Sequence, residues 1–301
     1  MKKMKQIQEL MKILKQMNKG DSMEKGRILK LMRDSYFVES NNVIFECQAR
    51  GKFWKDNITP LVGDFVKFDI IEDKKGYIME ILPRLNELVR PPISNVDQAI
   101  IVMSAKEPLF STNLLDKLLV TIEFNKIKPI IYVSKMDLLD NKERKDIKRL
   151  LNYYRKIGYI VIETKNKRMI KKLLKNKISV LTGQSGVGKS TLLNKINKDL
   201  NLDTDIISKA LGRGKHTTRH VELLKINKGY VADTPGFSSF DFNNMTKEDV
   251  KNNFVEFKKY DCKYKGCNHL KEDNCVIKEM VKKGDILQSR YDNYVKFISG
   301  M

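Results

Sequence analysis

The stretch "LTGQSGVGKSTLLN", Leu181–Asn194, constrains the fold more than any other part of the chain. It matches G-x-x-x-x-G-K-[ST] at Gly183, Gly188, Lys189 and Ser190. Such a loop holds phosphates only where a strand delivers it and a helix leaves it, so that backbone N–H groups and the helix N-terminus converge on the anion. The apolar run "ISVL" and the helical pattern of "GKSTLLNKINKDL" supply both. Gly183, Gln184, Ser185, Gly186, Val187 and Gly188 are thus the expected cradle, with Lys189 at the β/γ-phosphates and the Ser190 hydroxyl on Mg²⁺. Downstream, "GYVADTPG" puts Asp233 at a strand end, suited to Mg²⁺, and Gly236 close to a γ-phosphate. In "LGRGKHTTRH", either Thr217 or Thr218 completes the magnesium shell, within a glycine-rich, basic switch.

In many nucleotide hydrolases this loop opens the domain, yet here 182 residues precede Gly183. Among them "KPIIYVSKMDLL" sets Ser134, Lys135, Met136 and Asp137 after an apolar strand, much like the guanine-reading N-K-x-D of GTPases. A carboxylate there accepts from guanine N1–H and N2–H₂, a donor pair adenine lacks, while the lysine stem covers the base. Ser134 stands in place of Asn and lacks the amide that braces such a site. After the next strand, "IETKNK" offers a backbone N–H to guanine O6 around Thr164–Lys165. The order is base recognition first, then phosphate loop, switch and Asp233. A sheet tolerates that order if the domain is circularly permuted, cut open between its usual last and first elements. Around these motifs "QAIIVMS", "KPIIYVS", "GYIVIET", "ISVLTG" and "GYVADTP" read as buried strands alternating with helices, which predicts a mainly parallel α/β sheet covered on both faces.

From Gly26 to about Leu88 the pattern differs. "GRILKLM", "YFVES", "VIFECQARG", "GDFVKFDII" and "GYIMEIL" are five short alternating strands split by turns, which suit a small closed barrel of the OB type. Lys52, Phe53, Trp54 and Lys55 bring basic and aromatic side chains into one turn, as stacking on bases requires. A net charge of +21 favours a polyanionic partner such as RNA over an acidic small molecule. The first 22 residues carry Met4, Ile7, Met11 and Leu14 at helical spacing among lysines, and no function is assigned to them. No apolar stretch is long enough to span a membrane, and the N-terminus lacks a secretory core. A lone cysteine, Cys47, together with a metal-type cysteine cluster near the C-terminus, suggests a reducing cytoplasm.

Near the end, "YDCKYKGCNHLKEDNCVIK" spaces Cys262, Cys267, His269 and Cys275 as C-x₄-C-x-H-x₅-C. Three thiolates and one imidazole make a closed tetrahedral Zn²⁺ site of the structural type. Its lysine-rich surroundings fit a metal-stapled knuckle that contacts RNA. Cys47, remote in sequence, reads as an ordinary buried thiol.

Taken in order, "VGDFV", "LPRLNELVRPPISNVDQAIIV", "SKMD", "GQSGVGKST", "GRGKHTT", "DTPG", the cysteine–histidine set and "SRYDNY" closely resemble the small-ribosomal-subunit biogenesis GTPase family RsgA. The resemblance runs from about residue 26 to the C-terminus. It implies a multidomain chain: an extension over 1–25, an OB barrel over 26–88, a circularly permuted P-loop GTPase domain over 89–242 and a mostly helical zinc-binding domain over 243–301. It implies guanine contacts at Ser134, Lys135 and Asp137, phosphate contacts from Gly183 through Thr191, and zinc on Cys262, Cys267, His269 and Cys275. It further implies a monomer that binds GTP and GDP, the 30S subunit and its 16S rRNA, acts in late 30S maturation, hydrolyses GTP when stimulated by that subunit, and releases assembly factors.

Phe237 follows the switch glycine, where many GTPases keep a water-orienting Gln, so slow hydrolysis in isolation is expected. His216 and His220, in or beside the switch, either position water or contact phosphate, RNA or solvent. The alternative is a nucleotide-gated RNA-binding assembly factor without significant hydrolysis.

Overall fold

The computed structural model describes residues 23–51, 53, 58–89, 92–164, 167–196, 221–226, 228–233, 242 and 244–301. The chain divides into two compact units between Arg84 and Leu85.

In the first unit, β1 (Glu24–Met32), β2 (Ser35–Ser40), β3 (Val43–Ala49), β4 (Phe65–Glu72) and β5 (Lys75–Ile81) follow the alternation read from the sequence. They pair in the order β1-β2-β3-β5-β4, and β4 returns to β1 with Gly26 opposite Val66, closing a five-stranded barrel. Closure removes the free edges that short strands would otherwise expose. Side chains alternate inward along β2 and the first halves of β4 and β5, whereas at the β1 bulge Ile28 and Leu29 are both buried; Ile28, Val38, Cys47, Val66, Phe68 and Ile78 are wholly buried. The buried Asp64 is held by Arg84, whose Nε and Nη2 lie 2.7 Å from its two oxygens.

The second unit opens on a hairpin, β6 (Glu87–Val89) and β7 (Pro92–Ser94). Its flanks are stapled by Asn86, which donates to the Val96 carbonyl at 2.8 Å and accepts the Val96 N–H at 2.9 Å. Next come β8 (Gln98–Ser104), β9 (Lys128–Ser134), β10 (Ile160–Glu163), β11 (Ile178–Thr182), β12 (Glu222–Ile226) and β13 (Gly229–Asp233). The sheet order is β10-β9-β8-β11-β13-β12, and all neighbours are parallel except β12 with β13. β8 and β11 are buried at every position, as strands covered on both faces must be. The connecting helices are α1 (Thr112–Phe124), α2 (Asn141–Lys156), α3 (Lys167–Leu174) and α4, described over Lys189–Ile196. The expected α/β pattern is present, and it gains α3 and the antiparallel β12.

The C-terminal helices α5 (Lys247–Asn252), α6 (Val276–Lys283) and α7 (Gln288–Ser299) pack within this second unit. Phe254, Phe257, Tyr294 and Phe297 share a core with Val120 of α1. At its centre Arg290 of α7, with no exposed surface, donates from Nε and Nη2 to Glu256 at 2.7 and 2.9 Å and from Nη1 to Asp116 of α1 at 2.7 Å. Tyr154 of α2 and Asn293 each add a 2.6 Å bond to Asp116. The guanidinium also lies 4.4 Å from the Phe254 ring centroid. Burial raises Asp116 above the usual carboxylate range despite these partners. For Glu256 burial pulls the same way, but Arg290 outweighs it and holds the group low.

Candidate nucleotide and metal sites

Parallel register brings the carboxyl ends of β8, β9, β10, β11 and β13 to one edge, where open α/β sheets bind ligands. β11 delivers the phosphate loop there, β9 the base-reading segment, and β8 lies between them. Gly183 has φ of 140°, and a Cβ on it would meet the Val102 carbonyl oxygen of β8 at 2.2 Å, so only glycine lets the loop leave the sheet here. Lys189 opens α4, and its ammonium folds over the loop onto the Gly183 and Gln184 carbonyls at 2.7 and 2.6 Å. Burial lowers its pKa, a penalty that an anion held in the loop offsets. Val187 is buried as the loop's apolar anchor, Ser190 is half-buried, and Gln184, Ser185, Gly186 and Thr191 are exposed.

The two motifs meet at Ser134. Its hydroxyl lies 2.6 Å from the Val187 carbonyl oxygen of the phosphate loop and 3.2 Å from the Met103 carbonyl oxygen. A hydroxyl has one proton, and the shorter contact is the better bond. Bracing expected to be lost with the Asn amide is therefore supplied by the hydroxyl. Lys135 adopts a left-handed φ of 54°, and its ammonium donates to the Glu107 carbonyl. Met136–Leu138 form one 3₁₀ turn that presents Asp137 to solvent. Its carboxylate has no hydrogen-bond partner among the described residues. Asp137 and Thr164 line a cavity of ≈ 330 Å³ with Met136, Arg144, Lys148 and Glu163. Thr164 donates to the Val133 carbonyl at 3.0 Å, fixing the end of β10 against β9.

Asp233 ends β13, beside the strand that carries the phosphate loop. His216, Thr217, Thr218, His220, Gly236 and Phe237 lie outside the described residues, as do Lys165, Lys52, Trp54, Lys55 and residues 1–22. Phe53 is described and is 8 % exposed, so it packs in the barrel core and is not available for stacking on bases. Cys47 is a buried free thiol, as expected.

Cys262, Cys267, His269 and Cys275 converge, with all ligand atoms within 4.8 Å of one another. Tetrahedral zinc with ordinary bond lengths requires about 3.8 Å between two sulfurs and about 3.6 Å between sulfur and nitrogen. The Cys262–Cys275 sulfurs are 3.9 Å apart, and His269 Nδ1 lies 3.5 Å from Cys262 and 3.4 Å from Cys275, which fits. Glu272 holds the knuckle by accepting the Asn268 and Leu270 N–H groups at 2.7 Å. Tyr291 and Tyr294 of α7 donate to the His269 and Asn268 carbonyls at 2.7 and 2.6 Å. Burial lowers His269, leaving its ring neutral, and pushes the Cys275 thiol up to about 12. A buried set of soft donors of this kind is suited to a metal that replaces the protons.

A parallel sheet with a phosphate loop on one strand, and a guanine-type reader two strands away yet earlier in the chain, defines a circularly permuted GTPase. The RsgA GTPase family model matches residues 81–243, and the RsgA N-terminal domain model matches residues 25–78. Small ribosomal subunit biogenesis GTPase RsgA of Geobacillus kaustophilus is 50% identical over 286 residues, covering 93% of this chain and 98% of that protein. The protein of that name from Bacillus cytotoxicus is 49% identical over 283 residues, covering 92% of this chain and 97% of its own. Among solved structures, YloQ, described as a circularly permuted GTPase, is 41% identical with a TM-score of 0.80, covering 94% of this chain and 96% of its own. YjeQ from Thermotoga maritima is 36% identical with a TM-score of 0.81, covering 92% and 98%. The chain belongs to the RsgA GTPase family.

Arg144, Lys106 and Arg290 carry structural roles around these sites that the sequence reading missed. The first two had a partial signal, since Asp140-x-x-Glu143 is a capping box that marks the start of α2. Arg290 stands in the "SRYDNY" stretch, but nothing along the chain points to its acidic partners, 174 and 34 residues away.

Proposed function

We propose that this chain hydrolyses GTP to GDP and phosphate in the biogenesis of the small ribosomal subunit, the role for which its relatives are named. The observation that carries the reading is the Ser134–Val187 bond, which ties a base-reading turn to a phosphate loop as parts of one pocket. In that pocket Asp137 accepts the two guanine donors, and the Lys135 stem covers the base. Residues Gly183 through Thr191 hold the phosphates. Magnesium, bound with GTP, supplies charge neutralisation and would be held by Ser190, Asp233 and Thr217 or Thr218. Gly236 is assigned to the γ-phosphate, and His216 and His220 either orient water, in place of the Gln for which Phe237 stands, or contact phosphate, RNA or solvent. The Cys₃His cluster holds one structural zinc.

The partner is the 30S subunit with its 16S rRNA, met by the barrel of 26–88 and the zinc-binding segment 243–301, with the GTPase domain over 89–242. The excess of basic side chains supports this, since Lys and Arg gain affinity for RNA by releasing counterions from its phosphates. GTP orders the switches, hydrolysis relaxes the grip, and assembly factors leave with the protein. It works as a monomer in the cytoplasm; among the described residues no helix is long and apolar enough to cross a membrane. Phosphate release with and without 30S subunits, in wild type and Lys189→Ala, tests the proposal. Stimulation by the subunit that the variant abolishes is expected. Equal rates with and without it would count against activation by the subunit, and no significant release in either case would favour a nucleotide-gated RNA-binding factor.

A further inference from the structure

The 3₁₀ turn that presents Asp137 has a single backbone bond of its own, from Leu138 N–H to the Lys135 carbonyl at 3.2 Å. One such bond does not hold three residues in water. The exposed Asp137 side chain makes no hydrogen bond of its own among the described residues, so its direction depends on whatever fixes that backbone. α2 does so. From its first turn Arg144 reaches back and donates through Nη2 to the Met136 carbonyl at 3.1 Å and, more weakly, towards Leu139 O at 3.4 Å. Those carbonyls flank Asp137–Leu138, and the buried Leu139 side chain pins the far end. The start of α2 is itself anchored. Glu143 accepts the Asp140 N–H at 3.0 Å, and Lys106, just after β8, grips the same carboxylate at 2.9 and 3.0 Å. Arg144 also lines the cavity that Asp137 lines.

We infer that Arg144 is a positioning residue for base selection: by holding the Met136 and Leu139 carbonyls it aims the Asp137 carboxylate at the purine edge. The inference rests on the reading of Asp137 as the base acceptor. A carboxylate that accepts two donors at once demands alignment, and a loosened turn sacrifices the second bond first. Guanosine and inosine triphosphates differ in that second donor, the exocyclic amine, so their affinity ratio reports alignment separately from phosphate binding.

The test is competition of GTP, ITP and ATP against a fluorescent guanine nucleotide, on the full chain, for wild type, Arg144→Met, Arg144→Lys and Asp137→Ala. Arg144→Met is expected to narrow the GTP-to-ITP preference by about fivefold or more, the range of one charge-assisted hydrogen bond, with ITP affinity nearly unchanged. Arg144→Lys, which keeps a cationic donor on a shorter arm, restores part of it. A merely structural role would weaken both nucleotides together and leave the ratio alone. Should Arg144→Met not fold, Arg144→Gln, too short to reach either carbonyl, takes its place with the same expectation. If Asp137→Ala narrows the ratio and the Arg144 variants do not, the inference about Arg144 is overturned while the base reading stands. If Asp137→Ala leaves the ratio intact, the base reading itself fails and takes the inference with it.

Discussion

Replacing Arg290 by Met removes a buried cation and leaves two buried carboxylates, and the cost can be worked from their remaining partners. Asp116 keeps Tyr154 and Asn293, both at 2.6 Å. Glu256 keeps its own backbone N–H and Tyr153, the latter at a long 3.4 Å, so it carries most of the loss. A stranded carboxylate escapes by taking a proton, which from a reference value near 4.3 costs about 3.7 kcal/mol at pH 7. That sets the scale at about 3–5 kcal/mol, in line with other broken buried pairs. For a unit this size it lowers the melting point by roughly 6–20 °C. The sign of the pH dependence follows. In wild type Arg290 holds Glu256 low, so its contribution is present above the usual carboxylate range and lost on acidification. In the variant Glu256 is protonated when folded, and the penalty shrinks by up to about 1.4 kcal/mol per pH unit as the medium is acidified from 7 towards 5. Calorimetry of the zinc-loaded protein at pH 7 and 5.5 measures both, with the barrel, which holds none of these groups, as internal reference. Adding Glu256→Gln should recover part of the loss. A penalty below about 1 kcal/mol, or one indifferent to pH, would refute this account of the network.

Ser134→Ala removes the proton shared with the Val187 carbonyl. GTP and GDP affinities should both drop about fivefold, the worth of one hydrogen bond, and unchanged titration curves would deny the bridge. Burial pushes the Cys47 thiol up to about 12, whereas an unfolded thiol ionises near 8.5. Between those values the folded barrel retains the extra proton, so its stability falls as pH rises; denaturant melts at pH 8 and 10 should show a steeper fall in wild type than in Cys47→Val. Chelation should release one zinc per chain and open Cys262, Cys267 and Cys275 to alkylation while Cys47 stays protected. Alkylation of Cys275 at equal rates before and after chelation would contradict a closed metal site.

The barrel strands were legible because a half-buried strand tends to alternate, as β2 and the first halves of β4 and β5 do; β1 departs at a bulge where Ile28 and Leu29 are both buried. The phosphate loop and the metal knuckle were legible because each packs its chemistry into a dozen or so consecutive residues. β12 was missed although "VELLKINKGY" holds an alternating run before an Asn-Lys-Gly turn, a hairpin signal overshadowed by the strand after it. α3 was missed although Met169, Ile170, Leu173 and Leu174 stand at helical spacing, because the pattern spans only two turns; Ile170 and Leu174 are buried by tertiary packing. Phe53 looked like a stacking residue beside its basic neighbours, but an apolar ring near a closed barrel gains more by burial. The Arg290 network and the Arg144 brace join distant segments, or a side chain to a carbonyl, and neither leaves a pattern along the chain.

The central claim is that two motifs in permuted order form a single guanine-nucleotide pocket. Equilibrium binding of GTP and XTP to wild type and Asp137→Asn tests it most directly, because an amide at that position exchanges an acceptor for a donor and xanthine offers a carbonyl where guanine has its amine. The account predicts that Asp137→Asn loses GTP and gains XTP, each by tenfold or more at about 1.4 kcal/mol per factor of ten. Unaltered preference for GTP in that variant would contradict it.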